Sequence, residues 1–172
     1  MNTGQLLTYL TSNPDFASNV THWQVMPARP AKYADYPEGF DPALRAVLES
    51  RGVKRLYSHQ RRALDLAQAG KDFVVITPTA SGKTMCYNLP VLSEILRDNE
   101  SRALYLFPTK ALSSDQVAEL YEIIKAMDAP IKAFTFDGDT PVSARKAIRQ
   151  AGHIVVTNPD MLHAGILPHH TK

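Results

Sequence analysis

Short apolar runs alternate with segments of helical length through most of this chain, and that alternation constrains its fold more than any other feature. The runs are FVVI at 73–76, ALYLF at 103–107, IKAFTF at 131–136 and HIVVT at 153–157, with helices predicted at about 114–127 and 142–151 between the later ones. Strands joined through helices form right-handed crossovers and pair in parallel. The run FVVI is typical of a strand buried on both faces. The sequence therefore predicts an α/β fold with a mainly parallel sheet.

Two helices are predicted ahead of the first of these strands. Asp41 is a candidate N-cap with Pro42 at the first helical position, and Gly52 is a candidate stop. Ser58 and Gly70 mark the start and the end of the second helix in the same way. Asp and Ser side chains accept hydrogen bonds from free N–H groups at a helix start, and glycine adopts the left-handed backbone that ends many helices.

Residues 1–40 differ from the rest and are predicted to form an extended N-terminal arm, with residues 41–172 forming the α/β domain. Five of the 12 prolines fall in the arm or just beyond it, namely Pro14, Pro27, Pro30, Pro37 and Pro42. A short helix is expected at Gln5 to Leu10, but the later prolines remove backbone donors and restrict the residues before them. The aromatic residues are expected to hold the arm against a neighbouring surface; they are Trp23, Tyr33, Tyr36 and Phe40.

The composition is that of an ordinary globular protein, with 44% hydrophobic and 21% charged residues in a length of 172. No window reaches the roughly 18 uninterrupted apolar residues of a membrane span, and the N-terminus does not resemble a secretory signal. A cytoplasmic location is therefore predicted. The net charge of +2 neither indicates nor excludes a nucleic-acid partner. The single cysteine, Cys86, excludes an internal disulfide and is expected to be a small buried residue on a helix.

The segment TPTASGKT at 77–84 stands where the first strand leads into a helix, which is the context of a phosphate-binding loop. Successive N–H groups of such a turn and of the helix N-terminus bind phosphate oxygens. Gly82 would let the backbone approach closely, Lys83 would reach the β and γ phosphates, and Thr84 would offer its hydroxyl to Mg²⁺. The usual signature opens with glycine, whereas this segment opens with threonine and proline.

Gln60 lies on the helix that precedes this loop. A glutamine amide can accept from N6 and donate to N7 of adenine, and Tyr57 could supply a stacking wall beside it. In isolation such a residue is more often a solvated helix glutamine. Its place one helix before the phosphate loop favours adenine recognition.

Three polar loops follow the later strands: PTKAL at 108–112, FDGDT at 136–140 and TNPDML at 157–162. The C-terminal ends of parallel strands meet at one edge of an open sheet, where ligands bind. The loops are therefore expected to form one phosphate-contacting surface, although each taken singly is typical of an ordinary turn. Asp137 and Asp139 would repel a phosphate unless they cap a helix or hold a basic side chain.

Together, and in this order, the motifs resemble those of superfamily-two DEAD/DEAH-box helicases. Tyr57 to Gln60 resembles the Q motif, TPTASGKT motif I, PTKAL motif Ia, GDT the glycine motif and TNPD motif Ib. Longer stretches, among them LYSHQ, ALYLFPTKAL and TNPDMLHAGILPHH, resemble one branch, the mitomycin-repair-type bacterial DNA helicases and their RecQ-four-like fungal relatives. The similarity runs from about Pro27 to the last residue.

The resemblance implies a RecA-like P-loop domain that uses ATP and Mg²⁺ and acts on single-stranded or forked DNA, with 3'-5' unwinding and a role in DNA repair. Lys83 and Thr84 are implied to be catalytic, with Thr84 reaching Mg²⁺ at the nucleotide. The implied nucleotide-binding residues are Tyr57, Gln60, Thr79, Ala80, Ser81, Gly82, Lys83 and Thr84. The implied nucleic-acid-binding residues are Pro108, Thr109, Lys110, Gly138, Asp139, Thr157 and Asn158.

One part of the family pattern is missing from the sequence. No stretch matches D-E-x-H, the carboxylate pair that completes Mg²⁺ coordination and activates water. Asp160 has no glutamate beside it and is expected to be the N-cap of the last helix. The chain is interpreted as the N-terminal part of a several-fold longer helicase, and alone it is expected neither to hydrolyse ATP nor to unwind DNA. Exposed apolar edges are expected around Val74, Ile76 and Val155.

Two other functions stay open. One is a non-catalytic nucleotide- or nucleic-acid-binding role. The other, a small-molecule P-loop kinase, would need a glycine-rich loop, an arginine-bearing lid and an acceptor pocket, none of which the sequence clearly offers. The histidines His153, His163, His169 and His170 do not indicate a metal site, because no carboxylate or cysteine lies near them at ligand spacing.

Overall fold

A computed structural model describes residues 2–28 and 30–169, apart from the side chains of residues 110–112 and 169. The chain divides into two compact units, Met1–Ala31 and Lys32–Lys172. Among the described residues, no helix combines the length and the apolar character needed to cross a membrane.

The first unit contains helix α1, Thr3–Ser12, and the short helix α2, Pro14–Ala17. The Asn2 side chain caps α1 by accepting from the Gln5 N–H at 2.9 Å, and the Gln5 side chain accepts from the Asn2 N–H at 3.0 Å. This reciprocal pair satisfies two donors that a helix start leaves free. The short helix predicted at Gln5 to Leu10 is confirmed.

The second unit opens with strand β1, Tyr33–Ala34, helix α3, Pro42–Ser50, strand β2, Leu56–Tyr57, and helix α4, Ser58–Gln68. β1 and β2 pair antiparallel, with Tyr33 opposite Tyr57. The Asp41 carboxylate accepts from the N–H groups of residues 43 and 44, which confirms it as the cap of α3.

Both glycine stops are confirmed, since Gly52 and Gly70 have φ of +85° and +64°. The predicted cap at Ser58 is wrong by one residue. Tyr57 is the N-cap of α4, because its N–H is already bonded to the Gln60 side chain and Ser58 begins the helical turn.

The helices and strands described after α4 are α5 Lys83–Arg97, β3 Ala103–Leu106, α6 Lys110–Ala126, β4 Ala133–Thr135, α7 Val142–Ala151, β5 Ile154–Thr157 and α8 Pro159–Met161, followed by a π-helical turn, Leu162–Ile166, and a 3-10 turn, Leu167–His169. β5 is the central strand and pairs in parallel with β3 on one side and β4 on the other. The predicted α/β fold with a parallel sheet is therefore confirmed. α6 begins ahead of the predicted start near residue 114.

The strand predicted at 73–76 is wrong. These residues join no ladder among the described strands, and Val74 and Ile76 are 85% and 90% exposed. A strand buried on both faces needs partners for its backbone groups, and the described sheet pairs only β3, β5 and β4. Val155, also expected at an exposed edge, instead lies half-buried on the central strand.

One hydrophobic core joins α3, α4, α5 and α6 to strands β4 and β5. Its fully buried side chains include Leu44, Leu48, Leu64, Leu89, Leu92, Leu120, Ile123, Ile154 and Val156. Each such burial is worth about 1.5–3 kcal/mol relative to an exposed side chain. Cys86 is buried on α5 as predicted. The core thereby fixes α4 and α5, the two helices on either side of residues 77–82.

Candidate nucleotide and nucleic-acid site

Residues 77–84 form a tight turn that leads directly into α5. Ala80 and Gly82 have positive φ of +58° and +74°, and Gly82 is the N-cap of α5. The hydroxyls of Thr77 and Ser81 share a hydrogen bond of 2.6 Å across the turn. The loop therefore curls over the N-terminus of a long helix, where backbone N–H groups and the helix dipole favour an anion.

The Lys83 ammonium lies inside this curve. It donates to the carbonyl oxygens of Thr77 at 2.9 Å and Pro78 at 2.7 Å. Two carbonyls at the start of the loop thus fix the cation over the turn. Because an ammonium has three donors, one is left for another acceptor. A cation held there can meet phosphate oxygens that enter the loop.

Two side chains at the start of α4 hold the other end of the loop. Gln60 donates from Nε2 to the Gly82 carbonyl at 2.9 Å and accepts at Oε1 from the Tyr57 N–H at 2.9 Å. Because Gln60 is only 4% exposed, it is not a solvated helix residue. His59 bonds through Nε2 to the Ser81 carbonyl at 2.9 Å, and since a carbonyl only accepts, that ring nitrogen carries the proton.

Three rings stack beside the loop. The centroids of Tyr33 and Tyr57 are 5.3 Å apart, and those of Tyr57 and His59 are 5.7 Å apart, with interplanar angles of 21° and 11°. Tyr33 is 51% exposed and Tyr57 is 36% exposed, so the stack borders solvent. The sequence pattern places Tyr33 in the arm, and only the antiparallel pairing of β1 with β2 brings it here.

Thr84 is tied to the next helix rather than to the loop. Its hydroxyl donates to Oε1 of Gln116 on α6 at 2.6 Å, and the Tyr87 hydroxyl donates to the same oxygen at 2.8 Å. Burial raises the pKa of the Tyr87 hydroxyl, which keeps it a donor. Neither His59 nor Gln116 was identified from the sequence.

The loops that follow β3, β4 and β5 begin side by side. The Phe107 N–H donates to the Thr157 carbonyl at 2.9 Å, and the Phe136 N–H donates to the Val156 carbonyl at 2.8 Å. The predicted convergence of the three loops at one sheet edge is therefore confirmed. Pro108 and the residue after it are exposed.

Lys110, the predicted cation of this edge, begins α6, but its side chain lies outside the described residues. The turn after β4 is held together by its own side chains. The Asp137 carboxylate accepts from the Asp139 N–H at 2.9 Å and from the Thr140 hydroxyl at 3.3 Å. Asp137 thus caps a turn, and exposed Gly138 lies at its tip.

The turn after β5 differs from the prediction in its cap. Asn158 accepts from the Met161 N–H at 2.8 Å and caps α8, so the expectation that Asp160 is the cap is wrong. Proline at 159 fixes the first helical position and leaves Asp160 inside the first turn. Thr157 is 3% exposed and its hydroxyl has no partner within the described chain, so this hydroxyl does not reach the surface.

Among the described residues, the structure gives no support for a metal site at the histidines considered from the sequence. His153 accepts from the Lys132 N–H at 2.9 Å through Nδ1, and burial, aided by the charge of Arg102, lowers its pKa. Within the part of the chain that the structure describes, no three His, Cys, Asp or Glu side chains form a metal-binding group. The side chain of His169, and His170 as a whole, lie outside that part.

Comparison with known proteins decides the family. The DEAD/DEAH box helicase family matches residues 57–172, which include the loop, its flanking helices and the sheet edge. The chain belongs to the DEAD/DEAH box helicases.

Curated helicases are similar to this chain in sequence. The uncharacterized ATP-dependent helicase YprA of Bacillus subtilis is 54% identical over 96% of the chain, which covers 22% of that protein. The ATP-dependent helicase hrq1 of Schizosaccharomyces pombe is 36% identical over 95% of the chain, and the match covers 16% of hrq1. The chain spans less than a quarter of these relatives.

A solved structure, the DUF1998 helicase MrfA bound to DNA and AMPPNP, matches this helicase chain with a TM-score of 0.91 and 51% identity. The match covers 99% of the chain and 24% of MrfA. A RecA-like architecture is thereby shown for the helicase-family chain.

Proposed function

We propose that this chain is the ATP-binding part of an ATP-dependent DNA helicase, in which residues 41–172 form the N-terminal part of the first motor domain and residues 1–40 an arm before it. The observation that carries the proposal is the placement of the Lys83 ammonium, 2.9 and 2.7 Å from two carbonyls of a loop that caps α5. A fixed cation over a helix N-terminus is suited to a polyphosphate.

Adenine selection is proposed for Gln60. The amide uses one of its two N–H groups on Gly82 and one lone pair of its oxygen on the Tyr57 N–H. One donor and one acceptor are left, and these complement N7 and N6 of adenine. The Tyr57 ring, stacked with Tyr33 and His59, would border the base at its solvent-exposed edge. Thr79, Ala80, Ser81 and Gly82 would supply the backbone around the phosphates.

Magnesium is proposed to bind through Thr84 and the nucleotide. The hydroxyl donates its hydrogen to Gln116, so its oxygen retains lone pairs for a hard cation. When bound, Mg²⁺ neutralises charge that develops on the β and γ phosphates. The sequence has no D-E-x-H motif, so hydrolysis is proposed for the longer protein, and nucleotide binding without turnover for this chain alone.

Single-stranded or forked DNA is the proposed partner of the sheet edge. Contacts to the sugar–phosphate backbone are proposed for Thr109, Lys110, Thr157 and Asn158. Pro108, Gly138 and Asp139 are proposed to lie at the same nucleic-acid-binding surface. Support comes from the convergence of the three loops and from the DNA in the MrfA structure. Thr157 would contact DNA only through a rearrangement that exposes its hydroxyl. Unwinding in the 3'-5' direction, a role in DNA repair and a cytoplasmic location belong to the same proposal.

The test is ATP turnover by the full-length protein with and without single-stranded DNA. A helicase motor should be stimulated by DNA, because strand binding orders the catalytic groups of the two motor domains. The Lys83→Ala variant is the control for contaminating activity. Turnover that needs a small-molecule acceptor and ignores DNA would support a kinase instead.

A further inference from the structure

One side-chain oxygen joins the helix that carries the phosphate loop to the helix that follows PTKAL. Oε1 of Gln116 accepts from the Thr84 hydroxyl at 2.6 Å and from the Tyr87 hydroxyl at 2.8 Å. All three residues are partly buried, where a hydrogen bond is stronger than in water. Gln116 takes no part in the proposed adenine contact of Gln60, in the hydrogen bonds of Lys83 or in the proposed DNA contacts at the sheet edge.

We infer that Gln116 is a positioning residue for Thr84, which orients the threonine hydroxyl for Mg²⁺ at the nucleotide. This inference rests on the proposed binding of MgATP. A hydroxyl has one hydrogen and two lone pairs. While the hydrogen is donated to Gln116, the hydroxyl presents its oxygen, and not its hydrogen, to a cation. Without that acceptor, the hydroxyl can rotate and donate to a phosphate oxygen, which turns its hydrogen towards the cation.

The acceptor is itself held in place. Tyr87 supplies the second donor to Gln116, and its ring packs edge-on against Tyr105 at 5.2 Å and Phe107 at 6.4 Å between centroids. Tyr105 in turn donates to the buried Asn88 at 2.9 Å. The Gln116 rotamer is therefore fixed from two sides, as for groups that orient metal ligands in other proteins.

The experiment measures affinity of the full-length protein for a fluorescent ATP analogue, first in EDTA and then across a Mg²⁺ titration. The native protein should gain affinity with Mg²⁺. Gln116→Leu, which removes the acceptor at similar volume, should lose about tenfold or more in apparent Mg²⁺ affinity, the usual effect of removing a residue that orients a metal ligand. Its affinity in EDTA should be unchanged.

Five further variants test whether the effect is specific to the Gln116 oxygen. Gln116→Glu keeps an acceptor oxygen and should retain the Mg²⁺ response. Gln116→Asn has a side chain shorter by one methylene, which withdraws the oxygen from Thr84, and this variant should lose the Mg²⁺ response. The asparagine variant decides the matter if the leucine variant fails to fold. Gln150→Leu makes the same exchange at an exposed site on α7 and should have no effect. Adding Gln116→Leu to Thr84→Ala should cause no further loss, because both act through one hydroxyl.

Two results would overturn the inference while the native protein still binds MgATP. One is a normal Mg²⁺ response in Gln116→Leu and Gln116→Asn. The other is an equal loss of affinity in EDTA and in Mg²⁺, which would make Gln116 a packing residue. Absence of ATP binding by the native protein would instead remove the proposed function, and this inference with it.

Discussion

The Gln60 amide donates to the Gly82 carbonyl at 2.9 Å, and a Cβ atom at position 82 would lie only 2.6 Å from Gln60 Nε2. Gly82 also has φ of +74°, a conformation that side chains disfavour. The end of the proposed phosphate loop thus packs closely against Gln60 of α4, in a backbone conformation that favours glycine. The proposed base selection by Gln60 and the geometry of the proposed phosphate loop therefore depend on one contact.

Gly82→Ala should lower the free energy of unfolding by about 1–2 kcal/mol, the cost of a left-handed backbone for a residue with a Cβ, and should also displace Gln60. Gly70→Ala is the matched control, since Gly70 has φ of +64° and a Cβ added there would meet nothing within 4 Å. Urea unfolding should show similar losses for both variants. Preference for ATP over GTP should fall only in Gly82→Ala, and an equal preference in both would contradict the shared contact.

Gln60→Ala should reduce the preference for ATP over GTP by about 1–3 kcal/mol, because polar groups of adenine lose their partners on a buried side chain. Competition of both nucleotides against a fluorescent analogue measures this. An equal loss for ATP and GTP would mean that Gln60 serves only to hold the Gly82 carbonyl.

Lys110→Ala should weaken binding of single-stranded DNA for every sequence and reduce the slope of log affinity against log salt by roughly 0.7, the value for one phosphate contact. Lys125→Ala is the control, because Lys125 is exposed near the other end of α6. Fluorescence anisotropy at several salt concentrations gives the slope. An unchanged slope in the folded Lys110→Ala protein would make Lys110 a solvated charge.

Acid should destabilise the fold partly through His153. Burial lowers the pKa of this imidazole below its usual 6.5, and the neutral ring accepts from the Lys132 N–H. The unfolded chain therefore takes up the proton first as pH falls, so this contribution to stability is present above pH 6.5 and is lost below it.

Urea unfolding at about pH 7.5 and about pH 5, two values that bracket the pKa of an ordinary histidine, checks this contribution. The drop in stability between them should be smaller in His153→Asn than in the native protein. His163→Asn, at an exposed histidine, should keep the native drop. An equal drop in all three proteins would exclude His153 as a source of acid sensitivity.

The sequence was sufficient for elements whose signals are local. The Asp41 cap and the glycine stops depend only on neighbouring residues. The three strands of the described parallel sheet coincide with predicted runs rich in β-branched or aromatic residues between helices. The run at 73–76 has the same composition, yet β pairing depends on partners distant in the chain, and the described sheet offers it none. At α8, asparagine and aspartate are equally good caps, but the proline between them already favoured Asn158.

The residues of the candidate site also divide into those with a local sequence signal and those whose contacts depend on distant parts of the chain. Lys83, Thr84 and Gln60 lie in motifs whose spacing is informative, and the structure brings the Lys83 and Gln60 side chains to one loop. Gln116 is 32 residues from Thr84, on another helix, so no local pattern connects them. His59 could have been noticed from its position beside Gln60, but the carbonyl it contacts depends on how α4 packs against the loop.

The most direct test of the phosphate loop is calorimetric titration of MgATP into the full-length protein and its Lys83→Ala variant, with Lys71→Ala, an exposed lysine just before the loop, as the control. The Lys83 ammonium should contribute a charged hydrogen bond of about 1.5–3 kcal/mol, or roughly a 10- to 100-fold change in affinity. Weak or absent binding in Lys83→Ala alone is the predicted result. MgATP affinity in Lys83→Ala equal to that of the native protein would contradict it.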